Sequence, residues 1–227
     1  MFLFLFKHLY ASTHPQVPVL VPKLLLLYRL EKIQESCPCF GAPFHYHESM
    51  SDRRENSPTG CRPVRLDLGA GRIKRDGYFS VDKIRTDGVD IVCNLEGKLP
   101  FLDDTIDEIF SRHLFEHIQN LIPLFEEVYR VCRSGAKVII NVPYYTSVKA
   151  YKDPTHVNFF TERTFEYFEG KNWENFEFPF RGSYRVVKID YLYERPFHRL
   201  LPFMSFWRRV LMNTVTSMIA ELEVVKK

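Results

Sequence analysis

The stretch VRLDLGAGRIKRDGYFSVDK (64–83) decides the fold. Val64–Leu68 reads as a short apolar strand that stops at Gly69-Ala70-Gly71, and Tyr78–Val81 as a second that stops at Asp82. Short apolar runs ending on a glycine turn or an acid, and alternating with helix-like stretches, point to βα units around a mostly parallel sheet. The pattern continues outward. Asp90–Cys93 is a third strand ending at Asn94, Ile106–Ser111 a fourth, and Lys137–Val142, with Val138-Ile139-Ile140 in its middle, the most deeply buried. Between the last two, Ile118, Leu121, Ile122, Phe125, Val128, Tyr129 and Cys132 follow helical spacing, which predicts a helix over 115–132 stopped by Ser134-Gly135.

Toward the C-terminus, residues 184–193 alternate as a strand does, and Glu221–Val225 reads as a last strand, paired antiparallel. Trp207, Leu211, Val215, Met218 and Leu222 recur at spacings of 4, 4, 3 and 4, a helical stripe expected to pack on the core. Residues 1–60 differ from the rest: MFLFLF and LLLLY (24–28) are interrupted by Lys7-His8, Pro15, Pro18 and Pro22, and 48–60 is a polar linker. No run approaches the roughly 18–20 apolar residues that span a bilayer. A signal peptide is not expected either, because the apolar stretch starts at Met1 with no basic region ahead of it. Residues 1–60 are therefore expected to be an irregular extension outside an α/β domain of residues 61–227.

The 227 residues are 45% hydrophobic and carry 31 basic against 28 acidic side chains, which excludes disordered and polybasic classes. A formal charge of +3 gives no reason to expect a nucleic-acid partner. Five cysteines at irregular spacing argue against a disulfide scaffold and for a reducing, cytoplasmic setting. Cys37-Pro38-Cys39 and His45-Tyr46-His47 have one residue between ligands, too few for zinc-finger spacing, and His113…Glu116-His117 lacks the glutamate that directly follows the first histidine of a zinc protease helix. No metal ligands are expected.

The polar residues of interest fall at carboxyl ends of predicted strands, the edge at which open α/β sheets bind ligands. Gly69 and Gly71 allow close approach of backbone to ligand, and Asp82 can accept hydrogen bonds from ribose hydroxyls. A dinucleotide fingerprint fails, because the third glycine position is Lys74 and Asp82 comes 11 residues after Gly71 where about 20 are expected. No phosphate-loop motif occurs. A cofactor with adenosine and no pyrophosphate remains.

The ordered series LDLGAG (66–71), GYFSVDK (77–83), NLEGKLPFLDDTIDEIFSRHLFEHI (94–118), RSGAKVIINVPYY (133–145) and DPTHVNFF (153–160) resembles class I S-adenosylmethionine-dependent methyltransferases, and is most similar to the small type-11-like members. The resemblance covers a little over 100 residues, 65–168. It implies a Rossmann-like, mostly parallel seven-stranded sheet with helices on both faces and an antiparallel last strand, residues 171–227 completing the sheet and covering the acceptor side. It implies S-adenosylmethionine as cofactor, with Asp67, Gly69, Ala70 and Gly71 against its methionine portion and ribose, Asp82 and Lys83 at the ribose hydroxyls, Asn94 and Leu95 near the adenine, and Arg112 and His113 lining it.

Methyl transfer from a sulfonium needs mainly proximity and exclusion of water, plus a base where the acceptor is a hydroxyl. Tyr144, Tyr145, Asp153 and His156 follow the fifth strand and are expected to face the methyl group, with His156 as the base and Asp153 orienting it. The acceptor expected is an oxygen or nitrogen of a small molecule or glycan. Two other readings stay open: an inactive cofactor-binding module, and a peripheral membrane protein whose apolar N-terminus and basic-aromatic segment around Arg195, Arg199, Arg208 and Arg209 touch an anionic surface. The oligomeric state is left open.

Overall fold

In the computed structural model, residues 63–169, 180–200 and 202–226 are described; the expected N-terminal extension lies outside them. Seven strands, β1 (Arg65–Leu68), β2 (Phe79–Asp82), β3 (Ile91–Val92), β4 (Ile106–Arg112), β5 (Cys132–Pro143), β6 (Tyr184–Tyr193) and β7 (Val215–Val224), form one sheet in the order β3-β2-β1-β4-β5-β7-β6. Strands β1 to β5 pair in parallel, and β7 pairs antiparallel with both β5 and β6. This is the mostly parallel α/β sheet with an antiparallel last strand that the sequence led us to expect. Among the described residues four α-helices accompany it: α1 (Leu121–Val131), α2 (Val148–Tyr151), α3 (Glu162–Glu166) and α4 (Met204–Val210). The crossovers from β1 to β2, β2 to β3 and β3 to β4 are turns and loops without an α-helix, as the short RIKRDG interval (72–77) foreshadows for the first.

The helix expected over 115–132 is broken in two, a single 3₁₀ turn at Phe115–His117 and then α1. Pro123 explains the break. Asn120 is extended and caps the helix, so Pro123 falls in the first turn, where its missing N–H has no partner to lose. In a helix begun at Phe115 the proline would sit in the interior. Ser134-Gly135 does not end α1, which runs directly into β5; Gly135 lies inside β5 at φ 81°. There Ile106 pairs with Cys132 but Glu108 with Lys137, so residues 133–136 form a bulge opposite a single residue of β4.

The helical stripe over 207–222 is also corrected. Val215–Val224 is strand, with Met218, Ala220, Leu222 and Val224 buried at period two, and its spacing resembled a helix only by coincidence. The core is the inward side of this sheet packed on α1: Leu124, Phe125, Val128 and Val131 are buried, and Phe125 stacks on Phe168 at 3.6 Å and meets Phe115 and Tyr184 edge-on. The buried Tyr184 hydroxyl donates to the Phe125 carbonyl at 2.7 Å. Full burial of each such side chain contributes about 1.5–3 kcal/mol, which pins α1 to the sheet.

Candidate active site

Strand order reverses between β1 and β4, and a cleft of about 220 Å³ opens at their carboxyl ends, lined among others by Asp67, Gly69, Ala70, Arg75, Phe110 and Arg112. The turn after β1 is built for close approach. Gly69 has φ 71°, and a Cβ there would sit 2.9 Å from the Leu114 Cβ. Its N–H donates to the Val81 carbonyl at 2.8 Å, tying the β1 turn to β2. Gly71, at φ 60°, donates its N–H to Asp82 Oδ2 at 2.9 Å, and Ile84 N donates to Asp82 Oδ1 at 2.9 Å. Each carboxylate oxygen keeps a second lone pair for a ligand hydroxyl.

Asp67 is 6% exposed at the floor of the cleft. Burial holds its carboxyl above the usual range, against the pull of Arg75 and Arg112. Arg75, whose Nε lies 3.9 Å from Asp67 Oδ2, stacks 3.5 Å above the Phe110 ring. Neither Arg75 nor Phe110 was anticipated as a cleft residue; the only signal for Arg75 is the basic run in the shortened β1–β2 interval. Among the described residues Asn141 Oδ1, on β5 in register with Arg112, is a buried acceptor with no hydrogen-bond partner.

The cleft thus gathers Asp67, Gly69, Ala70 and Arg112, with Gly71 joined to Asp82 at its rim. The other expected cofactor residues stand outside this lining. Lys83 is exposed, Leu95 is buried, and the Asn94 amide oxygen accepts from Glu96 N at 3.1 Å within its own turn. His113, at φ 54°, turns its ring away to bring Nδ1 2.9 Å from Glu116 Oε1.

On the expected acceptor side the structure revises two roles. Tyr144 is fully buried, and its hydroxyl is committed to the Glu162 carboxylate at 3.2 and 3.3 Å, so it faces no open site. Glu162 also accepts from Tyr191 Oη at 2.8 Å and pairs with Arg208 Nε at 3.3 Å. Although burial acts to raise its carboxyl, its own backbone N–H, Tyr191 and Arg208 prevail and hold it below the ordinary carboxylate range. Asp153 does not orient His156: its Oδ2 stands 4.0 Å from His156 Nε2, while its Oδ1 takes the Thr155 N–H and hydroxyl, which lower its carboxyl.

His156 is instead held by the Ala150 carbonyl, 2.9 Å from Nδ1, and packs edge-on against His117 with ring centroids 4.7 Å apart. Its side chain is 8% exposed. The buried Glu116 completes a cluster with these two rings. Beyond β5, Tyr145 lines a second cleft of about 430 Å³ with Thr161, Glu162, Arg163, Glu166 and Arg209. Leu211, expected in the core, is 45% exposed, as are Phe197, Leu200, Phe203, Phe206 and Met212 to a greater degree. Among the described residues no helix is long and apolar enough to cross a membrane.

Residues 57–140 match the family model of a methyltransferase domain. No curated protein matches the chain. Among solved structures, an S-adenosylmethionine-dependent methyltransferase from Archaeoglobus fulgidus is 16% identical and superposes with a TM-score of 0.51, covering 98% of this chain and 100% of that one. The YcgJ protein of Bacillus subtilis is 14% identical over 88% of this chain and 99% of its own, with a TM-score of 0.48. The fold comparison rests on the Archaeoglobus protein. The domain match spans the strands whose ends build the cleft, from β1 to most of β5, so residues 57–140 are similar to a methyltransferase domain and the sheet that carries them has the fold of the Archaeoglobus enzyme.

Proposed function

We propose that the chain moves the methyl group of S-adenosylmethionine to an oxygen or nitrogen of a small-molecule or glycan-type acceptor, with His156 as the residue that activates the acceptor. The cofactor supplies a methyl already activated on a positively charged sulfur. What the chain adds is placement: the Gly69–Gly71 turn and Asp82 at the ribose, and Asp67 and Arg112 at the cleft floor. With the cofactor bound, its sulfonium would supply the methyl to the acceptor's lone pair and act as the leaving group, and His156 would take the acceptor's proton.

The observation that carries this reading is the tie from Gly71 N–H to Asp82 at 2.9 Å, from the β1 turn to the end of β2 beside the switch point, because it holds an acid suited to ribose hydroxyls against a turn that only glycine makes easily. On the acceptor side, His156 is fixed by Ala150 with its other ring nitrogen free. The test is a methyl-transfer screen over sugars, amino acids and lipids with the wild type and His156→Ala. Turnover is expected to fall by about 10²–10⁴-fold while cofactor affinity hardly moves. Unchanged turnover would remove His156 from the reaction.

A second reading of the acceptor is favoured by one observation, the apolar side chains left exposed between Phe197 and Met212 among Arg195, Arg199 and Arg209. Such a surface suits an acceptor presented at an anionic membrane. Flotation with phosphatidylserine vesicles tests it: co-flotation that high salt reverses supports it, and no flotation excludes it.

A further inference from the structure

We propose that Glu116, His117 and His156 bind one divalent transition-metal ion of the zinc type, joining the 3₁₀ turn after β4 to the loop after α2. The inference deepens the assignment of His156 to acceptor activation, and rests on that reading only for the ion's part in the reaction. One potential ligand atom from each of the three residues lies within 4.8 Å of the other two. Two imidazoles and one carboxylate are a donor set that leaves a zinc-type ion with open positions, and the nitrogen donors disfavour magnesium or calcium.

Hydrogen bonds behind each residue decide which atom is free. The Ala150 carbonyl can only accept, so His156 Nδ1, 2.9 Å away, carries the ring proton and Nε2 the lone pair. The Thr155 hydroxyl gives its single proton to Asp153 Oδ1 at 2.7 Å. Its oxygen, 2.9 Å from His117 Nδ1, therefore accepts from that nitrogen, and His117 too keeps its lone pair on Nε2. Glu116 is 1% exposed; Oε1 accepts from His113 Nδ1 at 2.9 Å, and Oε2 is buried with no hydrogen-bond partner.

Each residue is thus oriented from behind by a partner of the kind that orients metal ligands, and each presents an unprotonated atom. Three acceptors with no donor among them repel one another, and Asp153 Oδ2, 4.0 Å from His156 Nε2, adds negative charge beside them. A cation resolves the arrangement. With the ion in place His156 is a ligand rather than a free base, and a coordinated acceptor hydroxyl loses its proton more readily because the cation lowers its pKa.

The test uses the full chain, stripped with a chelator and titrated with Co²⁺ as a spectroscopic probe. Binding should saturate at one equivalent, with visible ligand-field bands, no thiolate charge-transfer band, and displacement by Zn²⁺. His117→Ala should abolish it. Thr155→Ala, which removes only the hydroxyl that fixes the His117 tautomer, should weaken it by about 10–100-fold; unchanged melting curves show that both variants are folded. Absence of Co²⁺ binding would overturn the site, as would binding with a thiolate band that survives His117→Ala, which would place the ion on cysteines. Stripped protein that keeps full methyl transfer while His156→Ala loses it would overturn the ion's role and leave the histidine as a base. Metal binding by the wild type together with full turnover in His156→Ala would support the site and overturn the acceptor assignment.

Discussion

Asp82→Ala separates the cofactor reading from a merely structural one. The carboxylate takes the Gly71 and Ile84 N–H groups at 2.9 Å each and has lone pairs left for two ribose hydroxyls. If Asp82 holds the ribose as proposed, removing it deletes its hydrogen bonds to the cofactor, and the loss of one hydrogen bond to a charged group, about 1.5–3 kcal/mol, sets the scale. That corresponds to a dissociation constant for S-adenosylmethionine raised by about 10- to 150-fold. Calorimetry with S-adenosylmethionine and S-adenosylhomocysteine should show the same factor for both, since the ribose is common to the two. Because the Gly71 and Ile84 N–H groups lie near solvent, water can replace the lost acceptor, and folding stability should fall by only about 1 kcal/mol. Unaltered affinity in a variant that melts like the wild type would refute the assignment of Asp82 to the ribose.

Gly69→Ala should disrupt the same turn by another route: a left-handed residue costs about 1–2 kcal/mol and its Cβ meets Leu114 at 2.9 Å, so cofactor affinity and melting temperature should both drop, read by calorimetry and thermal melts. Asp67→Asn should stabilise the fold at neutral pH while weakening cofactor binding; burial raises the Asp67 pKa, so its penalty is absent below the ordinary carboxyl range and full above the raised value, and the gain in melting temperature should vanish as pH falls below the ordinary carboxyl range. Glu162→Gln should destabilise by about 1–3 kcal/mol at neutral pH, because two tyrosine hydroxyls and Arg208 lose a charged partner. The Glu162 pKa is lowered on folding, so its contribution is present above the ordinary glutamate range and lost as pH falls through the lowered value; wild type and variant should converge in acid melts.

The parallel half of the sheet was legible because each strand is short, apolar and closed by a residue whose chemistry differs from its neighbours, as Gly69, Asp82 and Asn94 do for β1 to β3. β6 was read to its residue bounds from alternation alone. The failures share a cause, which is that local pattern was outweighed by position in the sheet. Met218 and Leu222 fit a helix and a strand equally by spacing, and only the gap between β5 and β6 selects strand. Gly135 looks like a helix stop in one dimension and is a bulge in three. At the site, the residues on the β1 turn were readable because a glycine turn is a local device. The partners of His156 were not, since His117 and Glu116 reach it from the 3₁₀ turn after β4 and Ala150 from α2, and nothing in the sequence marks which groups those elements bring together.

The placement of β7 between β5 and β6 also sets the order in which the sheet can be finished. Chains are made from the N-terminus, so β6 is complete before the strand that joins it to β5 exists. Until residues 215–224 arrive, β5 presents an unpaired buried-type edge with Val138, Ile140 and Val142 uncovered, the surface most apt to pair with another chain. β7 closes two edges in one step, and every pairing it makes with β5 spans about 75 residues or more, from Pro143–Ser217 to Lys137–Glu223. Completion of the sheet therefore waits on its last strand, and a nascent or truncated chain ending before Val215 would leave β5 with an adhesive edge.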